Sequence, residues 1–334
     1  MVTRVGINGF GRIGRSVFRL ASEDPEIEVV KINDLSPPST LVHLIKYDSV
    51  HGKFNADLEA NEQGIRVGQR QVLCSSSADP TQIDWSEAKV DIVLECTGKF
   101  RDRTTCEQYL KNGAKKVIIS APGKNDDVTI VMGVNQEKYD SKAHKIISNA
   151  SCTTNCLAPV AMVLDQNFKI RRGFMTTVHS YTNDQRILCG AHKDLRRARA
   201  ANLAQIPTTT GGAKAIGLVL PHLKGKLNGM AIRVPTPNVS LIDLVVEVEK
   251  STSAEEINAV FAKATKTSLR GILDYSDEPL VSIDYNGSTF SAIVDGLSTS
   301  VLEGNMLKVL AWYDNEIGFS QRMIDLAKFV GKTL

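Results

Sequence analysis

Two residues in this chain combine reactive side chains with a local pattern that would present them, Cys152 and His179. Cys152 lies in Ser148-Asn149-Ala150-Ser151-Cys152-Thr153-Thr154-Asn155-Cys156. A strand-like run, Lys145-Ile146-Ile147, precedes it, and a helix-like run from Leu157 to Leu164 follows. This places Cys152 at or near a helix N-terminus, where the helix dipole and free N–H groups favour a thiolate. Its polar neighbours argue against an apolar core, yet most free cysteines are buried and inert. On the residues alone, a nucleophile and a structural thiol both stay open. Cys156, one turn on, reads as an inward-facing inert thiol. His179 follows the strand-like Gly173-Phe174-Met175-Thr176-Thr177-Val178, and an ordinary pKa of about 6.5 suits it to act as a base. Spacing alone does not bring it to Cys152.

The elements that would position such groups begin at the N-terminus. Val2 to Asn8 reads as a strand and runs into Gly9-Phe10-Gly11-Arg12-Ile13-Gly14, after which Arg15 to Ala21 reads as a helix. In that setting G-x-G-x-x-G is a dinucleotide-binding pattern. Gly9 allows the tight turn, Gly11 lets the backbone approach a pyrophosphate, and Gly14 lets helix and strand pack closely. A second strand, Glu28 to Asn33, ends in Asp34, where such folds place a carboxylate on ribose hydroxyls. That charge repels a 2′-phosphate and favours NAD over NADP. Strands at Val90–Cys96 and Lys116–Ser120, with a helix at Cys106–Gly113 between them, continue the alternation expected of a doubly wound sheet.

After Thr176 the pattern turns β-rich, with a stretch from Met230 to Lys250 broken by Pro235 and Pro237, and a strand at Leu307–Tyr313. Val281 to Phe290 reads as a hairpin around Asn286-Gly287. Ser253 to Glu256 is a capping box that opens a helix. The expected fold class is α/β: a Rossmann-type doubly wound parallel sheet, plus a second α+β domain with a mostly antiparallel sheet. The boundaries fall at 1–150 and 151–315, with a C-terminal helix within 316–334 packing back on the first domain.

Composition narrows the function classes. The chain has 334 residues, 42% hydrophobic, with a net charge of +3. It is long enough for two cores, and its charge does not announce a nucleic-acid binder. No apolar run approaches the roughly 20 residues of a membrane helix, and the N-terminus lacks a secretory-signal pattern. Six cysteines, at 74, 96, 106, 152, 156 and 189, show neither a disulfide framework nor zinc spacing, so no metal is expected and a reducing, cytoplasmic compartment is. The basic run His192 to Arg199 lacks an aromatic stacking set, so it does not support RNA recognition.

The segments INGFGRIGR (7–15), SNASCTTNCLAP (148–159), TTVHSYTNDQ (176–185), HKDLRRARAA (192–201), IPTTTGGAKA (206–215), RVPTPNVS (233–240) and WYDNEIG (312–318) together resemble the phosphorylating glyceraldehyde-3-phosphate dehydrogenase family. The resemblance covers essentially the whole chain. It implies an NAD-binding first domain and a catalytic, oligomerising second domain in a cytoplasmic homotetramer. The implied reaction is oxidation of glyceraldehyde 3-phosphate with inorganic phosphate, in glycolysis or gluconeogenesis. Cys152 would be acylated and His179 would be its base. The substrate's phosphate would lie around Thr182 and Arg233 with Arg197 nearby, and the attacking phosphate around Ser151, Thr153, Thr210 and Gly211. Gly9, Gly11, Arg12, Ile13, Gly14, Asp34, Ser120 and Asn315 would hold the cofactor.

Two departures bear on that cofactor. Ala78 stands where many members carry arginine near the adenosine end. Gly190-Ala191 stands where strictly NAD-selecting members tend to have Leu-Pro, on a loop that approaches a neighbouring subunit's cofactor. Preferred use of NAD with some tolerance of NADP is therefore expected. The alternatives are a sibling that oxidises erythrose 4-phosphate with water, and an RNA-binding or redox-sensing protein built on the cofactor fold.

Overall fold

The computed structural model describes residues 2–334, Lys214 by its backbone alone. The chain gathers into two compact units. One comprises Met1–Ile130, Gln136–Ala150 and Ser320–Leu334, the other Val131–Asn135 and Ser151–Phe319.

The first unit is built on a nine-stranded sheet. In spatial order its strands are Val128–Thr129, Ile146–Ser148, Lys116–Ile119, Ile92–Glu95, Thr3–Asn8, Ile27–Asn33, Arg70–Ser75, Gly64–Val67 and Leu58–Asn61. The first seven run parallel, and the last two pairings are antiparallel. The central strands are nearly continuous apolar runs, with Val5, Ile7, Ile92, Val93 and Leu94 fully buried, as a sheet covered on both faces requires. Helices α1 (Arg12–Glu23), α2 (Pro38–Lys46) and α3 (Arg103–Lys111) belong to this unit. Asp102 caps α3 by accepting from the Thr105 N–H, and Gly113, at φ +104°, follows its end. The crossover direction reverses between Thr3–Asn8 and Ile92–Glu95, so their carboxyl ends form a topological switch point, where open α/β sheets hold ligands.

The second unit carries a seven-stranded mixed sheet: Ile206–Thr208, Leu227–Val234, Ile170–Ser180, Ser240–Val248, Met306–Tyr313, Ala292–Leu302 and Leu273–Ser276. Most of its pairings are antiparallel, with parallel pairs between Ile170–Ser180 and Leu227–Val234 and between Leu273–Ser276 and Ala292–Leu302. Helices α4 (Cys152–Phe168), α5 (Gly212–Val219) and α6 (Ala254–Lys266) belong to this unit. The capping box of α6 forms as the sequence predicts, Ser253 and Glu256 each bonding the other's backbone N–H. Helix α7 (Ile317–Gly331) begins in this unit and continues into the first from Ser320 on.

One expected element is absent. Ser282–Tyr285 forms a single helical turn, and no strand pair flanks Asn286-Gly287. The Asp284 carboxylate accepts from Val281 N–H, Gly287 N–H donates to Asp314, and Tyr285 stacks on Trp312 at 5.6 Å. Side-chain carboxylates thus take two of the backbone N–H groups that a hairpin ladder would have paired.

Candidate active site

Cys152 is the first residue of α4, and Ser151 is its N-cap, accepting from Thr154 N–H at 3.1 Å. Ala150, the residue before that N-cap, has φ +56°. His179 comes from the parallel neighbourhood of Ile170–Ser180 and is buried. Its Nε2 lies 3.5 Å from the Cys152 sulfur. The structure thus joins two groups that sequence spacing could not.

Arg233 is the register partner of His179 on the adjacent parallel strand. Its Nη1 lies 2.8 Å from His179 Nδ1 and donates to the Ser180 carbonyl at 3.0 Å, while His179 Nδ1 lies 2.7 Å from that same carbonyl. The Nε of Arg233 is buried without a hydrogen-bond partner among the described residues, an arrangement suited to an incoming anion. Burial pushes the Cys152 thiol above its ordinary pKa, against the opposing pull of Arg233 and of hydrogen bonds at Thr153. Burial first, and then the Arg233 charge, push His179 down to about 3. Burial thus works against the thiolate expected at the helix start, and Arg233 works for it.

Tyr313, which the sequence reading did not single out as a site residue, completes this centre. Its hydroxyl bonds Thr153 Oγ1 at 3.0 Å and Thr177 Oγ1 at 2.8 Å, and its ring meets His179 edge-on at 5.9 Å. Only its place in WYDNEIG pointed to it. Cys156 is fully buried with its pKa pushed well up, and Cys152 alone of the two neighbours the imidazole.

The other residues expected to bind anions also belong to the second unit. Gly211 is the N-cap of α5, and Gly212 N–H donates to Thr210 Oγ1 at 3.1 Å. A Cβ on Gly212 would come within 2.9 Å of Thr153, so the amino ends of α4 and α5 converge. Two helix N-termini with Ser151, Thr153 and Thr210 between them make an anion-attracting corner. Thr182 donates its N–H and hydroxyl to Gln185. Arg197 is engaged by Asp184, by Thr208 Oγ1 at 2.9 Å and by the Thr209 carbonyl, so it braces the threonine loop. Asn315 is buried and accepts from Ser240 at 2.7 Å.

In the first unit a cavity of about 300 Å³ opens at the switch point, with Gly9, Gly11, Asn33, Asp34 and Ala78 among its lining residues. Gly9 adopts φ +88°, and a Cβ there would strike Thr97. A Cβ on Gly14 would lie 2.3 Å from the Gly9 carbonyl, whereas one on Gly11 would meet nothing within 4 Å. Gly9 and Gly14 thus leave no room for a side chain, and Gly11 faces open space. Gly11 at the N-cap supplies no side-chain acceptor to α1, which leaves that positive end to an external anion. Asp34 accepts from the N–H groups of Phe10 and Ser36. Burial raises the Asp48 carboxyl, but the Arg12 guanidinium and the N–H groups of His51 and Val50 outweigh it and hold the pKa near about 2. Ile13 lies in the first turn of α1, and Ser120 follows the strand Lys116–Ile119, its N–H donating to the Glu95 carbonyl. The glycine turn, the open space at Gly11 and the rim carboxylate fit a dinucleotide.

Comparison with known proteins agrees with this chemistry. Residues 3–103 match the family model described as glyceraldehyde 3-phosphate dehydrogenase, NAD binding domain, and residues 151–315 match the corresponding C-terminal domain. The chain is 61% identical to glyceraldehyde-3-phosphate dehydrogenase of Geobacillus stearothermophilus, covering 99% of this chain and 98% of that protein. It is 58% identical to glyceraldehyde-3-phosphate dehydrogenase 2 of Bacillus subtilis, over 99% and 97%. It is 54% identical to glyceraldehyde-3-phosphate dehydrogenase 2 of Synechocystis, over 99% of each chain.

Proposed function

Because this chain belongs to the glyceraldehyde-3-phosphate dehydrogenase family, we propose that it oxidises glyceraldehyde 3-phosphate with NAD and inorganic phosphate, using Cys152 as nucleophile and His179 as base. The observation that carries the residue assignment is the 3.5 Å approach of the Cys152 sulfur to His179 Nε2 at the amino end of α4. The Cys152 thiol adds to the aldehyde carbon as its proton passes to Nε2 and from there to the aldehyde oxygen, giving a thiohemiacetal and a neutral imidazole. N–H groups at the start of α4 stabilise the oxygen as charge develops on it. NAD, when bound, supplies the hydride acceptor. His179 then takes the hydroxyl proton, and Cys152 is left as a thioester. A phosphate oxygen attacks the thioester carbon, the C–S bond breaks as the sulfur takes back the proton held by His179, and the acyl phosphate leaves.

Arg233 and Thr182 would bind the substrate's phosphate, with Arg197 holding the adjoining loop in shape. Ser151, Thr153, Thr210 and Gly211 would bind the attacking phosphate. For NAD, Gly9, Gly11, Arg12, Ile13 and Gly14 would frame the pyrophosphate, Asp34 the adenosine ribose, and Ser120 and Asn315 the nicotinamide end. The two compact units would serve as cofactor-binding and catalytic domains.

Homotetramer assembly is supported by the loop around the basic run, where Ile187, Leu188, Leu195 and Leu203 are all exposed. Four large apolar side chains in one segment mark a surface that another protein covers. Six free thiols and the bacterial relatives support a cytoplasmic setting. NADH formation from glyceraldehyde 3-phosphate should require phosphate or arsenate. Cys152→Ser should lower it by at least about a thousandfold, and mass spectrometry should find the acyl group on Cys152. Full turnover without phosphate, or in the serine variant, would overturn the reading.

A further inference from the structure

Four neighbouring strands of the first unit's sheet end in polar residues that are register partners: Ser75 with Asn33, Asn33 with Asn8, and Asn8 with Glu95. Their side chains form one hydrogen-bonded ladder. Ser75 Oγ donates to Asn33 Oδ1 at 3.0 Å, Asn33 Nδ2 to Asn8 Oδ1 at 2.8 Å, and Asn8 Nδ2 to Glu95 Oε2 at 2.6 Å. Glu95 is only 1% exposed. Its carboxylate also accepts from Tyr109 OH at 2.8 Å, from Thr97 N–H at 2.7 Å and from Thr97 Oγ1.

The direction of the ladder is set at both ends by backbone donors. Ser77 N–H donates to Asn33 Oδ1, which orients that amide and hence the Asn8 amide, so Asn8 presents N–H to Glu95. Thr97 N–H presents the other donor. Only a group that accepts on both oxygens satisfies this set. The members border the cofactor cavity: Asn8, Gly9, Asn33, Ser77, Cys96 and Thr97 line it, and Thr97 is the residue against which Gly9 packs.

We infer that Glu95 is a positioning residue for the dinucleotide, fixing through this ladder the glycine turn, the Thr97 turn and the Ser77 segment that together shape the cofactor groove. The inference rests on the groove reading given above. It assigns Glu95 no contact with the reacting atoms, so its signature lies in cofactor affinity. In Glu95→Gln the amide nitrogen must face either Thr97 N–H or Asn8 Nδ2, donor against donor, and one tie of the groove is lost. Asn8→Asp in the Glu95→Gln background restores an acceptor opposite that amide.

The test is calorimetric titration of NAD into the whole protein, alongside steady-state kinetics. Wild-type binding checks the groove reading independently. In Glu95→Gln the Kd and KM for NAD should rise at least about fivefold, the loss of one hydrogen bond to a charged group. Its kcat at saturating NAD should stay within about twofold. The double variant should recover most of the affinity. An unchanged Kd in folded Glu95→Gln, a kcat that falls as far as affinity, or a double variant no better than the single one would overturn the inference. If Glu95→Gln does not fold, Tyr109→Phe decides. It removes a donor to Glu95 and an acceptor for Asn8 Nδ2, and keeps the ring that packs edge-on against Trp85. Its NAD Kd should rise about twofold, and an unchanged Kd overturns the inference.

Discussion

Arg233 Nη1 lies 2.8 Å from His179 Nδ1, and the two compete for the Ser180 carbonyl. The Ser180 carbonyl only accepts, so an Nδ1 hydrogen donated to it leaves the Nε2 lone pair toward Cys152, as a base there requires. Arg233→Gln should raise KM for glyceraldehyde 3-phosphate by about 10- to 100-fold, the worth of a charge-assisted hydrogen bond, with a smaller fall in kcat. A KM within twofold of wild type would remove Arg233 from the site.

The depressed pKa of His179 has a consequence for acid stability. Its imidazole titrates at about 6.5 when unfolded and near about 3 in the folded chain. Between those values the unfolded state holds a proton that the folded state refuses. Stability present above about pH 6.5 is therefore lost as pH falls toward the folded value, by up to about 1.4 kcal/mol per pH unit from this group. Urea unfolding midpoints of wild type and His179→Gln should diverge between pH 7 and pH 5, with the variant less acid-sensitive. Parallel curves would show that this imidazole is protonated in the native state.

Cofactor choice is open to a direct test at Asp34. Its carboxylate is fixed by the Phe10 and Ser36 N–H groups at the cavity, which Ala78 also lines. Wild type should favour NAD while turning over NADP measurably. Asp34→Asn removes the repulsion of a 2′-phosphate and should shift the NAD to NADP ratio of kcat/KM by about tenfold toward NADP. Equal kcat/KM for the two cofactors in wild type would refute the preference.

The exposed apolar loop predicts its own disruption. Leu188→Lys with Leu195→Lys places two charges where a subunit contact is proposed. Sedimentation velocity should show the wild-type tetramer giving way to smaller species, with the far-ultraviolet circular dichroism retained. A wild-type chain that sediments as a monomer would sink the assembly proposal.

The parts legible in the sequence were the local ones. The glycine turn, the capping box at Ser253 and the placing of Cys152 at a helix start each depend on residues within one or two turns. The meeting of His179 with Arg233 depends on the register of two parallel strands 54 residues apart, which no local pattern encodes. The ladder through Ser75, Asn33, Asn8 and Glu95 escaped notice because each strand contributes one polar terminus, unexceptional alone. The Asn286-Gly287 turn was read as a hairpin because its decisive partners, Asp314 and Trp312, lie a further 25 or more residues along.

Helix α7 carries one more implication. Its last turns belong to the same unit as the first strand: Lys328 pairs with Asp24 at 2.8 Å, Phe329 packs edge-on against Tyr139, and Gly331 leaves no room for a Cβ beside Thr3. Met323, Leu326, Ala327 and Val330 are essentially solvent-free. The unit built on the first strand is thus completed by a segment whose Lys328 lies 304 residues beyond its partner Asp24. A nascent chain must hold that apolar seam unfilled until α7 has been synthesised.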